Sequence, residues 1–151
     1  MAEIGMTDIT YRLKHILAAG PLQGYETQII VFERGALTLA VSRPDGARFR
    51  LAGAAIFSAI DILASFTLWE VRGSVRSIFT TNMTWSCYRP VKGKRVEIRA
   101  RILGHTLNFA TIGVEILVTK PGSYSAATCT ATAYLRGYDG DLLVKDMMDE
   151  G

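Results

Sequence analysis

One carboxylate, Asp61, sits midway along the run AGAAIFSAIDILASFTLWE, residues 52–70, where Glu70 is the only other charge. The run reads as a single long helix, apolar on nearly every side, and such a helix belongs at the centre of a fold. A carboxylate halfway along a buried helix is costly to keep unless something uses it. Asp61 is therefore the first candidate for chemistry, as a general base or a nucleophile. Residues three and four positions away share its face: Phe57, Ser58, Ala64 and Ser65, with Ala54 a turn earlier. That stripe of small and polar side chains can floor a narrow channel. It can equally be a close helix–helix contact, and Asp61 can equally be a structural acid bonded to a backbone group.

The start of the helix supplies a second kind of chemistry. Ala52-Gly53-Ala54 leaves the first-turn N–H groups unobstructed, and together with the helix dipole they can polarise a carbonyl. Gly53 and Asp61 are eight residues apart, about 12 Å along a helix axis. From one chain the two do not reach the same reacting carbon. If both act, the N-terminus of one helix meets the acid of a second subunit, so an active homodimer follows as a requirement. Thr80, in a strand-like run, offers a hydroxyl that can steer a water; as a plain strand threonine it needs no function. Thr80, Asn82, Thr84, Ser86 and Tyr88 are expected on one face of that strand, with Thr81, Met83, Trp85 and Cys87 on the other. Arg89, Lys92, Lys94 and Arg95 surround a Pro-Val-Lys-Gly turn and can hold phosphates, with Arg136 a further candidate. The same charges also suit an ordinary solvated turn.

Other chemistries find little support. His15 and His105 pair with nothing obvious, and no G-x-S-x-G or Cys–His arrangement is present. Cys87 and Cys129 form no C-x-x-C pair, so neither a disulfide scaffold nor a metal site is expected, and both read as buried free thiols.

The elements that must position these residues follow from periodicity. Residues 7–19 form a short amphipathic helix that Gly20-Pro21 stops. Residues 25–32 and 37–41 form a hairpin, and Arg43-Pro44-Asp45-Gly46 is a turn. The long helix follows, then a connector at 71–74 and strands at 77–88, 95–103, 107–118 and 124–135. Alternation is cleanest where Val96, Ile98, Ala100 and Ile102 oppose Glu97, Arg99 and Arg101, one dry face and one wet. Hairpin turns are expected at Gly104-His105 and at Pro121-Gly122-Ser123. The expected fold is α+β: a six-stranded, curled antiparallel sheet wrapped around the long central helix, in a single domain spanning 1–151 with its core at 22–136 and a polar tail at 138–151.

Composition bounds the function. The chain has 151 residues, 49% hydrophobic and 21% charged, enough for one full core. A net charge of +3 is too small to announce a nucleic-acid partner. The N-terminus lacks a basic-then-apolar pattern, so the cytoplasm is the expected compartment. Residues 52–70 barely reach the length of a membrane span, and a central acid argues against one.

This pattern resembles the hot-dog-fold acyl-CoA thioesterases of the phenylacetate-degradation (PaaI-like) type. Their hallmark is His-Gly-Gly opening the central helix, with an Asp nine residues after the His. Here that register reads Ala52-Gly53-Ala54 and Asp61. The segment TTNMTWSCYRPVKGKRVEIRARILGHTLNFATIGVEIL also looks like the family's strand, Pro, Gly, strand and hairpin series. The likeness covers roughly residues 22 to 136. It implies Asp61 as the nucleophile or general base, the Gly53 N–H as the oxyanion donor and Thr80 as the residue that orients water. It implies an acyl-CoA substrate, with no separate cofactor because coenzyme A belongs to the substrate. Ala52, Ala54, Phe57, Ser58, Ser65 and Leu68 would line the acyl site, and Arg89, Lys92, Lys94 and Arg136 would hold the coenzyme A phosphates. A homodimer is implied, itself paired into a tetramer. The chain departs from the family at three places: Ala52 replaces the motif His, Ala54 the second Gly, and Gly46 stands where an Asn is common. These losses leave open a non-catalytic acyl-CoA-binding protein of the same fold. A dehydratase would need a His near an acid, and neither His is placed for that.

Overall fold

The computed structural model describes residues 6–72, 75–106 and 109–137. The expected tail, 138–151, and Gly73 and Ser74 of the expected connector lie outside the described residues. Helix α1 spans Met6–Ala19 and buries Ile9, Leu13 and Leu17. It ends where the Leu22 N–H reaches back 2.9 Å to the Leu17 carbonyl across Gly20-Pro21.

Six strands form one antiparallel sheet in the order β1-β2-β6-β7-β8-β4. They are β1 (Glu26–Glu33), β2 (Ala36–Ser42), β4 (Val75–Cys87), β6 (Arg95–His105), β7 (Phe109–Lys120) and β8 (Tyr124–Gly137). The period-two pattern decides which face is dry. Leu37, Leu39 and Val41 of β2, Val96, Ile98 and Ala100 of β6, and Ile112, Val114, Ile116 and Val118 of β7 are all buried. On β8 the buried row is small: Ala127, Cys129, Ala131 and Ala133.

Helix α2, Gly53–Arg72, lies on that dry face. Ile56, Ile60, Leu63 and Leu68 are buried there, each stabilising the fold by about 1.5–3 kcal/mol. Thr67, the buried polar residue of the helix, donates to the Leu63 carbonyl at 2.7 Å, which satisfies its hydroxyl. No described helix is long and apolar enough to cross a membrane.

Several expectations need correction. The central helix is not covered on every side: Ala52, Gly53, Ala54, Phe57, Ser58 and Asp61 are exposed in the single chain. They recur at helical spacing along a side of the helix that the chain leaves open beside edge strand β4, so the cost of burying the Asp61 carboxylate does not arise within one chain. The Gly104-His105 pair is not a turn. Strand β6 continues through it, with a register shift between Ile102 and Gly104. A second, two-stranded sheet was not anticipated. In it β3 (Phe49–Arg50) pairs with β5 (Lys92–Gly93) just before α2 begins.

Candidate active site

Among the described residues, the side chain of Asp61 hydrogen-bonds one partner from the sheet. The Thr80 hydroxyl donates to Asp61 Oδ1, joining α2 to edge strand β4. Simple alternation would not aim Thr80 that way. A register shift opens between Thr80, opposite Ala133, and Asn82, opposite Thr132. The extra residue, Thr81, turns its hydroxyl to the Thr132 carbonyl at 3.1 Å. Above this bulge, Met83 and Trp85 face inward opposite Ala131 and Cys129, while Asn82 and Thr84 face outward opposite Thr132 and Thr130. The bulge therefore moves Thr80 from the face of Asn82 and Thr84 to the face of Met83 and Trp85, the side on which α2 lies. This corrects the face expected for it.

The same face carries an aromatic pair. Phe57, one turn before Asp61 and 38% exposed, packs on Trp85 with ring centroids 5.0 Å apart. Ala54 and Ser58 are exposed beside it. Ser65 is half-buried and spends its hydroxyl on the Asp61 carbonyl at 3.2 Å. Leu68 is 1% exposed and sits in the core, and Ala64 is buried as well. The open part of the stripe thus runs from Ala52 to Asp61.

Gly53 opens α2, and Ala52 caps it through its carbonyl, which accepts from the Ile56 N–H at 3.1 Å. A methyl at the cap position offers no oxygen to the first-turn donors. There is no acidic residue in that turn, and nothing lies within 4 Å of a Cβ added at Gly53. The N–H groups of the first turn form an open donor corner. Upstream, Gly46 has φ +72° and closes the 43–46 turn through its N–H to the Arg43 carbonyl at 3.0 Å. In this turn the Ala47 N–H and the Arg43 guanidinium hold the Asp45 carboxyl below its usual range.

The donor corner sits beside a basic ribbon. The Leu51 N–H donates to the Val91 carbonyl at 3.0 Å, and Arg50 stands opposite Lys92. Arg48, Arg50, Arg89, Lys92 and Lys94 are all exposed there, and none has an ion-pair partner among the described residues. The Arg89 guanidinium lies 5.0 Å from the Tyr124 ring centroid. Arg48 and Arg50 were missed by the sequence reading. The β3–β5 pairing that brings them to the 89–94 turn involves two residues per strand, too few to leave a periodic signal. The other two basic candidates lie elsewhere. Arg136 stands opposite Ser77 on β8, ten residues beyond Ala126, whose carbonyl takes the Arg89 N–H. That is roughly 33 Å of strand. Arg95 stands opposite Ser42 and pairs with Glu97.

Of the two thiols, only Cys129 is buried, and burial pushes its pKa up. Cys87 is exposed, which corrects the expectation for it. No group of three or more His, Cys, Asp or Glu side chains among the described residues could hold a metal ion.

No protein-family model matches the chain, and no curated protein matches it by sequence. Solved structures do. Zebra fish thioesterase superfamily member 2 superposes with a TM-score of 0.70 at 13% identity, covering 87% of this chain and 99% of its own. A thioesterase family protein from Silicibacter pomeroyi gives 0.67 at 15% identity, covering 85% and 98%. The fold is the hot-dog fold. A hypothetical thioesterase protein from Streptococcus pneumoniae, solved with coenzyme A, gives 0.65 at 13% identity over 88% of this chain and 98% of its own. At these identities the hot-dog likeness speaks for the architecture, and roles for individual residues rest on the geometry above.

Proposed function

We propose that the chain is an acyl-CoA thioesterase, with a site completed between two copies. The observation that carries this is the Thr80–Asp61 hydrogen bond on an otherwise uncharged, exposed stripe of α2. The Asp61 carboxylate takes a proton from water as the hydroxide adds to the thioester carbonyl. The Thr80 hydroxyl holds that carboxylate in place. The developing oxyanion is met by the Gly53 N–H. Collapse breaks the C–S bond, the thiolate leaves and recovers the proton, and the free acid and coenzyme A depart. A nucleophilic Asp61 passing through a mixed anhydride uses the same atoms.

Gly53 and Asp61 lie on one helix, about 12 Å apart along its axis. The carboxylate must therefore meet the donor corner of a second chain. The outer edge of β4 carries no partner strand among the described residues, and the stripe from Ala52 to Asp61 has no charge but Asp61 itself. Both features suit coverage by a second copy, which would make an isologous dimer; two such dimers would make the tetramer. The donor corner and the basic ribbon come from the same chain. Arg50 is three residues from Gly53, at most about 10 Å of extended backbone. A coenzyme A phosphate on Arg48, Arg50, Arg89 or Lys92 and a thioester at Gly53 fit one ligand. Phe57 and Trp85 would wall an acyl group of medium length or aromatic character. No cofactor beyond the substrate is needed, and the reading places the protein in the cytoplasm.

A second reading is a hot-dog protein that binds acyl-CoA without cleaving it. Ala52 and Ala54 put methyl groups where the family motif has an imidazole and a glycine, and Gly46 offers no side chain at all. A panel of acyl-CoA thioesters, followed by thiol release, separates the two readings. Hydrolysis by the wild type and none by Asp61→Asn supports the enzyme. Equal rates in both remove Asp61 from the mechanism, and tight binding without product supports the binder.

A further inference from the structure

A groove of about 670 Å³ lies between α1 and the start of β1, far from edge strand β4, and continues across β2 to the start of β6. Its size suits a small organic ligand. Register explains its shape. Glu26 stands opposite Ser42, and Ser42 opposite Arg95, so a small side chain lies between two long ones in one row. The flanking residues are separated by two strand spacings, about 9.6 Å between backbones. Tyr11 and His15 line the helix side, their rings nearly parallel at 11° with centroids 6.1 Å apart. Lys14, exposed and without an ion pair among the described residues, lies beside them.

Arg95 is the informative residue. A guanidinium carries five donors. Here its ionic contact is to Glu97 at 3.6 Å, too long for a hydrogen bond, and Glu97 is also held by Arg99 at 3.2 Å. The Arg95 Nε is buried with no acceptor. The side chain is 31% exposed and its guanidinium makes no hydrogen bond to a described residue, so its terminal nitrogens can take an acceptor from the groove. Glu26 stands across the row but makes no ion pair with Arg95.

We propose that this groove is a second ligand site, which takes a small aromatic carboxylate. The carboxylate docks on the Arg95 guanidinium, with Lys14 adding charge, and the ring lies along Tyr11 and His15. The site is independent of Asp61, so it stands whether or not the chain cleaves thioesters.

The test is an NMR titration of the full chain with sodium benzoate, following the His15 ring protons, with sodium acetate and sodium chloride as controls. Benzoate should give a saturable His15 shift, and acetate should bind at least about tenfold more weakly because it has no ring to stack. Arg95→Gln should weaken benzoate about tenfold or more through loss of a charge-assisted pair. Lys14→Gln, on an exposed helix face, should weaken it about two- to fivefold. Benzoate bound at the Asp61 face would shift other resonances and would survive both substitutions. A His15 shift that does not saturate overturns the proposal, as does unchanged affinity in a folded Arg95→Gln. Should Arg95→Gln fail to fold, unchanged affinity in Lys14→Gln overturns it instead.

Discussion

Replacing Gly53 by proline isolates the amide donor from everything else. Gly53 is the first residue of α2 and its φ is not positive. Proline is favoured at the first helical position, because the missing N–H has no partner inside the helix. Nothing lies within 4 Å of an added Cβ, so the substituted carbon meets open space. The fold should therefore tolerate the change, and restricting the unfolded chain can offset any small loss by about 0.4–1 kcal/mol. The chemistry should not tolerate it. Loss of one oxyanion donor typically lowers kcat about 10²–10³-fold, or roughly 2.7–4 kcal/mol of barrier. Gly53→Ala keeps the N–H and serves as the matched control, with kcat expected within about threefold of wild type. The assay is thioester cleavage at saturating substrate, beside a thermal melt by circular dichroism. A folded Gly53→Pro protein that turns over as fast as Gly53→Ala would refute the assignment of the Gly53 N–H.

Three further outcomes follow from the same geometry. Thr80→Val keeps shape and strand propensity but removes the donor to Asp61, so kcat should fall about 10- to 100-fold with little change in melting temperature; an unchanged kcat would show that Thr80 only fills space. Arg50→Gln combined with Lys92→Gln should raise KM for the coenzyme A thioester about three- to tenfold at low salt and leave kcat alone, and a KM that does not move would separate the basic ribbon from the substrate. Burial raises the pKa of Cys129, so the unfolded thiol ionises first; stability should be full below the unfolded value of about 8.5 and should decline as pH rises above it. Chemical denaturation between neutral and alkaline pH checks this slope against Cys129→Ala, which should flatten it, while alkylation of the native protein should reach exposed Cys87 first.

The fold was legible where burial enforces a period. Val96, Ile98 and Ala100 are buried between charged neighbours, as their alternation announced, and the long apolar run is α2. What local pattern hid was of two kinds. One is irregularity: the extra residue at Thr81 flips Thr80 to the helix side, and alternation read without a bulge assigns it to the wrong face. The other is pairing between distant short segments. Phe49 meets Gly93, where an added Cβ would stand 2.5 Å from the Lys120 carbonyl, so that approach requires glycine. Read locally, Gly93 was only a turn residue, and Arg48 and Arg50 had no reason to join Lys92. The exposure of Asp61 was hidden for a related reason. An α2 stripe of Ala, Phe and Ser looks like core in a sequence, yet in one chain it faces outward.

The claim that the acid and the amide come from different chains can be tested by mixing. Asp61→Asn and Gly53→Pro homodimers should both be inactive, since each lacks one component at both of its sites. After equimolar subunits are separated and re-associated, half of the dimers are mixed, and each mixed dimer carries one site with both components intact. Activity should return to about a quarter of the wild-type value for a two-fold symmetric dimer. Activity that stays at the level of the parent variants, with mixed dimers shown to have formed, would contradict a site shared between chains.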